Sequence, residues 1–484
     1  MRGSTAQRRV RALVVVGVAV AGLFPVGAPV AHAGPAPAPT ASGTLGVDNP
    51  SGKADARGRP LNRNAHHAAA APRVGATADT PAPECPATVH CVFVPAAYQQ
   101  DDPADPSNYG NYDVADRPAD GLAINTIVIH DTEGSLQSTI NAFQDPLFYV
   151  SAHYVIDTDG TIYQMVRTKD VAWHAGNWWV NTHAIGIEHV GFAAAGNYPP
   201  AQYDASAKLV RWLAHRYGVP LDRQHVIGHD NVPAPDAAHV ASMHWDPGPF
   251  WNWQHYMARL GVPVLPTGPG TRMVTVAPVW PLSQQPVTDC SSGTCVPLPA
   301  QPTNFVYLRQ APDATAPFLV DPVLGAGTTA ADSVAAKAYL GQNLAVADHR
   351  FTADGVWLQV WYGGQQGWLF SPWRAPSVFP AAGSSVTPRA GSIPVYGRAY
   401  PEASAYPAGF TAAPAVVALP YTIPAGQRYS VVGGVASTDY YHAVTVDSSA
   451  PFDHTVFKGT DGYVRIQFNG REAFVRRADV TIAG

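Results

Sequence analysis

The run Thr126-Ile127-Val128-Ile129 is apolar and β-branched, and it stops abruptly at His130-Asp131-Thr132. A segment with no polar face has to be covered on both sides, so it reads as a strand inside a sheet. A buried strand does not ordinarily end in His-Asp-Thr without a use for it. A second apolar strand, over 184–189, carries Glu188 in an otherwise oily stretch. A buried carboxylate is costly unless it is paired or lies near a metal. The third feature is the Pro- and Gly-rich stretch 225–250, which holds His229, His244 and Asp246. His244 and Asp246 are two residues apart, so on extended backbone they point to the same side. Imidazole and carboxylate are ligands that suit Zn²⁺. Three protein ligands with a place left for water, and a further carboxylate to act as base, make the parts list of a catalytic zinc site.

Around these residues the pattern is mixed α/β from 121 to 262. Strands are predicted over 125–130, 152–157, 161–166 and 184–189, and Asp159-Gly160 is a hairpin turn signal. Helices are predicted over about 135–144, 201–217 and 249–260. In the middle one Tyr203, Ala207, Val210, Ala214 and Tyr217 share a face, and Gly218 stands where a C-cap glycine belongs. This stripe is core and carries no chemistry. The fold class is α/β: a mixed central sheet flanked by helices, with ligands at strand ends and loops.

The N-terminus is basic, then apolar, then Ala31-His32-Ala33, the pattern of a secretory signal peptide over 1–33. The apolar run ends before Pro25 and is too short to span a bilayer, so no membrane association is expected after cleavage. Removing its four arginines leaves 26 basic residues against 35 acidic, a net of −9. With no basic stripe, nucleic acid is excluded as a partner. Residues 34–84, rich in Ala, Pro, Gly, Ser and Thr, read as a disordered linker. In an exported chain Cys85 with Cys91, and Cys290 with Cys295, read as two short-loop disulfides.

The segments IVIHDTEG, VSAHYVIDTDGTIYQMV, VAWHAGN, AIGIEH, VIGHDNV and HWDPGPF occur in the order seen in zinc-dependent N-acetylmuramoyl-L-alanine amidases of the amidase type 2 family. Animal peptidoglycan-recognition proteins are similar more distantly. The resemblance spans about 121–262 and implies hydrolysis of the amide between N-acetylmuramic acid and L-Ala of the stem peptide, with peptidoglycan as partner and one Zn²⁺ per chain. It places His130, His229 and Asp246 on the ligand positions and Glu188 on that of the catalytic glutamate. His244 falls where relatives carry Lys or His, a place for oxyanion stabilisation. Trp173 and His174 fall on a segment bordering the substrate groove. Ala152 stands where some phage members carry a catalytic tyrosine. The His-x-Asp spacing leaves His244 as a rival to His229 for the second ligand position. The family also contains proteins that bind peptidoglycan without cleaving it, and the complete ligand set with Glu188 favours the enzyme. No HExxH helix is present to support a generic zinc peptidase.

The catalytic domain is thus expected over 85–265, followed by a linker over 266–302. Beyond it FVYLRQAP resembles PVYGRAYP, and DGVWLQVWYGGQQGWLF resembles DGYVRIQFNGREAFV. Each longer segment reads as two alternating strands about a Gly-bearing turn. Two small SH3-like β domains, over 303–375 and 390–484, fit this weak repeat as tethered wall-binding modules. Trp357, Trp361, Trp368 and Tyr463 read as barrel core more readily than as sugar platforms. The expected protein is a secreted, cell-wall-associated monomer.

Overall fold

The computed structural model describes residues 81–269, 272–436 and 438–484. The predicted signal peptide and all but the last four residues of the predicted linker lie outside them. Among the described residues no helix is long and apolar enough to cross a membrane.

The first sheet has six strands in the order Cys91–Phe93, Ile162–Gln164, Tyr154–Ile156, Ala184–His189, Thr126–Asp131, Val226–Gly228. Its pairings are parallel except for the hairpin between Tyr154–Ile156 and Ile162–Gln164, so the sheet is mixed. That hairpin turns at Gly160, whose φ of 88° no β-branched residue adopts easily. Side chains alternate across the sheet. Ile127 and Ile129 pack with Ile185 and Ile187 against helices Pro200–Tyr217 (α3 in chain order) and Trp253–Arg259 (α4). The first two helices are Leu136–Gln144 (α1) and Trp178–His183 (α2). Ser135 caps α1 by accepting from the Ser138 amide.

Helix α3 buries the predicted stripe as far as Ala214 and ends on Gly218 at φ 70°. Each large apolar residue it buries, such as Leu209, Val210 or Leu213, contributes roughly 1.5–3 kcal/mol. The stripe also buries two polar residues. Gln202 donates to the carbonyls of Ile156 and Val190, and Ser206 bonds to His189 and Tyr256. Both disulfides are formed, Cys85–Cys91 and Cys290–Cys295. Glu84, inside the predicted linker, is tied to the sheet: its carboxylate accepts from the Thr168 amide and hydroxyl and from Gln164.

The remainder is β structure, with two corrections to the expected boundaries. Met273–Val276 is no linker. It pairs with Asn343–Phe351 on one side and Val378–Pro380 on the other, inside a five-stranded sheet. Its composition looked like a connector because Pro and Thr flank four strand residues. The seven-stranded sheet begins at Ser385–Pro388, which pairs with the C-terminal strand Val480–Ala483. Both predicted hairpins form, Gly355–Tyr362 with Gln365–Pro372 and Tyr463–Gln467 with Glu472–Arg476. Trp357 and Tyr463 are buried, and Trp361 packs against the core.

The seven-stranded sheet does not hang from the catalytic domain as a separate bead. Val128, Trp179, Ala184 and Ile227 share one hydrophobic core with Tyr463, Val464, Phe474 and Val475. Trp178 donates its indole N–H to the Tyr441 carbonyl at 2.9 Å, and Asn177 donates to the Gly397 carbonyl at 2.9 Å. His183 and Asp439 meet at 3.1 Å, both side chains 1% exposed. A protein cut near residue 265 would open this core to water. We expect it to aggregate or to melt well below the full chain. Thermal unfolding of both proteins checks this, and equal melting would show that the parts are separable.

Candidate functional site

Parallel strands that end side by side each deliver a functional group. Register between Thr126–Asp131 and Ala184–His189 sets His130 opposite Glu188 and Asp131 opposite His189. On the other side Val226–Gly228 passes directly into a short turn that begins at His229. The C-terminal edge of a parallel sheet gathers such residues because its connecting loops diverge there. Asp246 arrives on a loop. Its main-chain carbonyl accepts from the Asp230 amide at 2.8 Å, and its Oδ2 from the Asp131 amide at 3.3 Å.

His130, His229 and Asp246 each offer a ligand atom, all within 4.8 Å of one another. His130 Nδ1 lies 3.1 Å from Asp246 Oδ2, and His229 Nδ1 3.1 Å from Asp246 Oδ1. In a tetrahedral zinc site with bonds of about 2.0–2.1 Å, ligand atoms sit roughly 3.3 Å apart. The buried His229 Nε2 has no hydrogen-bond partner, while its Nδ1 meets the Asp246 carboxylate. A buried polar atom left so is expensive unless something else takes its lone pair. Burial, helped by His130 and opposed by Asp246, pulls the His229 imidazole down to about 4. It is therefore neutral at pH 7, the form that binds metals. Burial alone would raise the Asp246 carboxyl, but the His229, His130 and His244 imidazoles outweigh it and hold the group well below the usual carboxylate range. Two imidazoles and an ionised carboxylate, converging with an orphaned nitrogen among them, fit a divalent metal ion.

His244 lies outside this triad. Its Nδ1 is 3.6 Å from Asp246 Oδ1, its ring centroid is 4.7 Å from that of His229, and its side chain is 37% exposed. It stands on the solvent side of the cluster. Glu188 has a buried Oε2 with no hydrogen-bond partner. Burial pushes its carboxyl well above the ordinary range, and the negative charges of Asp246 and Asp131 add to this. A cation held by the triad acts in the opposite direction.

The two residues expected to border the substrate groove are placed otherwise. Trp173 is fully buried, packs on Tyr109 and donates its indole N–H to Asp113 at 2.7 Å. Its ring is core and reaches no groove. His174 is buried too, with its Nδ1 3.0 Å from His130 Nε2. Burial and the neighbouring His130 and His153 rings keep it neutral. It supports the first ligand from behind and has no substrate-facing surface. Gly186 makes room for it, because a Cβ there would come within 2.5 Å of the His174 ring.

A relay that the sequence did not single out holds the other side of His130. Tyr256 bonds to Ser206, Ser206 to His189 Nε2 at 2.8 Å, and His189 Nδ1 donates to the His130 carbonyl at 2.9 Å. Burial pulls His189 down to about 3, so it remains neutral and keeps one tautomer. The small polar Ser206 on the apolar face of α3 was the one available signal. Asn231 and Arg471 were also missed, and Arg471 lies 228 residues from the site loop that it touches.

A family model described as N-acetylmuramoyl-L-alanine amidase matches residues 120–249. N-acetylmuramoyl-L-alanine amidase A of Achromobacter lyticus is 37% identical over 163 residues, covering 31% of this chain and 88% of that protein. The 1,6-anhydro-N-acetylmuramyl-L-alanine amidase AmpD of Salmonella typhimurium is 37% identical over 115 residues, 22% of this chain and 56% of that protein. The chain thus spans about half the length of that second relative. Among solved structures, an AmpD derivative overlaps 36% of this chain and 95% of its own, at 26% identity and a TM-score of 0.26.

Proposed function

Because the chain belongs to the N-acetylmuramoyl-L-alanine amidase family, we propose that it is a zinc-dependent peptidoglycan hydrolase that cleaves the amide between N-acetylmuramic acid and the L-Ala of the stem peptide. The observation that carries this reading is the buried triad of His130, His229 and Asp246 beside Glu188, with His229 Nε2 lacking any hydrogen-bond partner. The triad would hold the ion. When bound, zinc supplies Lewis acidity that polarises the scissile carbonyl and makes water acidic near neutral pH.

The protein's own groups supply the rest. Glu188 takes the proton of the attacking water and returns it to the leaving amine. His244, on the solvent side of the triad, stabilises the oxyanion of the tetrahedral intermediate. The Asp131 amide donates to Asp246 and so orients its carboxylate toward His130 and His229.

We further propose that the protein is secreted. The signal-like N-terminus supports this, and so do the two disulfides, which persist in oxidising compartments. The SH3-like reading of the C-terminal β segments rests on their two hairpins alone.

The test is mass spectrometry of purified peptidoglycan after digestion. Free stem peptides beginning with L-Ala are expected, alongside unmodified N-acetylmuramic acid. Wall binding without such products would make the protein a non-catalytic recognition protein of the same fold. Products cut elsewhere in the stem would make it a peptidase.

A further inference from the structure

The turn between strands Tyr463–Gln467 and Glu472–Arg476 leaves the seven-stranded sheet and enters the catalytic domain. The buried guanidinium of Arg471 donates from Nη1 to the Val240 carbonyl at 2.7 Å and from Nη2 to the Met243 carbonyl at 3.2 Å. Val240 and Met243 stand immediately ahead of His244 and Asp246. On the same turn, the Gly470 carbonyl accepts from Asn231 Nδ2 at 2.9 Å, two residues beyond His229. Asn231 Oδ1 in turn accepts from Arg223 at 2.9 Å and from the Gly228 amide at 3.3 Å. One turn therefore grips both loops that deliver His229, His244 and Asp246.

The turn is itself held in place. The Arg471 amide donates to Asn469 Oδ1 at 2.9 Å, and Gln342 donates to the carbonyls of Asn469 and Gly470, each at 3.1 Å. The gripped loop has little regular structure of its own. Between Val232 and Asp246 it contains a single short turn of helix, Ala237–His239, and no strand. Such a segment opens easily unless something outside it holds its carbonyls. A planar, permanently charged fork that spans two carbonyls suits that task.

We propose that Arg471 is a positioning residue for the catalytic centre: through the Val240 and Met243 carbonyls it fixes the loop that presents His244 and Asp246, and the seven-stranded sheet is part of the active-site scaffold. Its activity arm rests on the amidase reading above. Its metal-binding and loop-order arms do not.

The rival is that Arg471 is interface glue with no bearing on the site, and the same hairpin contains the control. Arg465 is similarly buried, pairs with Glu472, and donates to Thr126 Oγ1 at 2.8 Å and to the Gln224 carbonyl at 3.2 Å. Thr126 is at the far end of the strand from His130, about 13 Å away at roughly 3.3 Å per residue. Arg465 therefore anchors the interface without touching the ligand loops.

The experiment compares Arg471→Met, Arg471→Lys and Arg465→Met in the full chain. It reads melting temperature, kcat and KM on soluble muropeptide, zinc affinity by chelator competition, and hydrogen exchange of amides 241–245 in the metal-free protein. Both Met variants should melt lower than the parent. Only Arg471→Met should also lower kcat tenfold to a hundredfold with KM little changed, weaken zinc binding by about tenfold or more, and speed exchange at 241–245. Arg471→Lys should recover part of each loss. If Arg471→Met does not fold, the Lys variant decides through exchange and zinc affinity. Unchanged zinc affinity, exchange and kcat in folded Arg471 variants would overturn the proposal, as would equal changes in Arg465→Met. A parent protein without turnover would refute the amidase reading while the zinc and exchange measurements still decide the role of Arg471.

Discussion

Glu188→Gln should keep its metal and its fold and lose turnover by about 10²–10⁴-fold, the usual share of general-base assistance. The substitution is nearly isosteric and removes only the ability to take a proton. Glu188 sits opposite His130 in the parallel register, and its Oε2 is buried without a partner. No structural hydrogen bond at that oxygen is broken by the change. Stability should respond in the other direction. Burial, with Asp246 and Asp131 nearby, raises the Glu188 carboxyl well above its ordinary value. A group raised on folding contributes stability below its unfolded pKa and loses it as pH rises through the folded one. At neutral pH the metal-free parent therefore carries a destabilising carboxyl that Gln does not. The metal-free variant should melt no lower than the metal-free parent at pH 7, and the comparison should reverse or vanish toward pH 4. Near-normal turnover by a metal-replete Glu188→Gln protein would remove Glu188 from the mechanism.

The site was legible to the extent that its chemistry sits on strand ends. A β-branched run that stops at a histidine announces both the strand and the group it delivers, and the same logic found Glu188 and the loop of His229 and Asp246. The groove-border reading of Trp173 and His174 came from the family resemblance alone. Here Asp113 satisfies the indole N–H in the core and Gly186 makes a pocket for the imidazole behind His130. The linker over 266–302 failed through local composition, since four strand residues among prolines and threonines give little periodic signal. The shared core was invisible for another reason. Val128 and Ile227 look like ordinary central-strand residues, and nothing local to them records that Phe474 and Tyr463 cover that face of the sheet. The contacts of Arg471 are of the same kind: they span more than two hundred residues and follow from topology alone.

His229→Ala should abolish metal binding, and with it at least about 10³-fold of turnover, because the several kcal/mol that a Lewis acid contributes to transition-state charge are lost together. His244→Ala makes the contrast. It should retain about one zinc per chain and slow the reaction by roughly 10²-fold, the scale of losing one oxyanion donor. The structure separates the two residues by environment. His229 is buried and neutral, with its Nε2 unpartnered and its Nδ1 3.1 Å from Asp246, while His244 is 37% exposed and stands 3.6 Å from Asp246. Elemental analysis of both variants distinguishes them directly. Zinc retained in His229→Ala and lost in His244→Ala would reassign the second ligand to His244. Stability provides an independent check. A ligand that binds only the folded state raises stability in proportion to RT ln(1 + [L]/Kd), so the zinc-loaded parent should melt well above the loaded His229→Ala variant. After chelation the gap should narrow. Alanine leaves a small void at the site, but it also removes a buried nitrogen, Nε2, that no protein group satisfies. These effects oppose each other, and the stability that His229 contributes to the intact protein therefore comes through the ion.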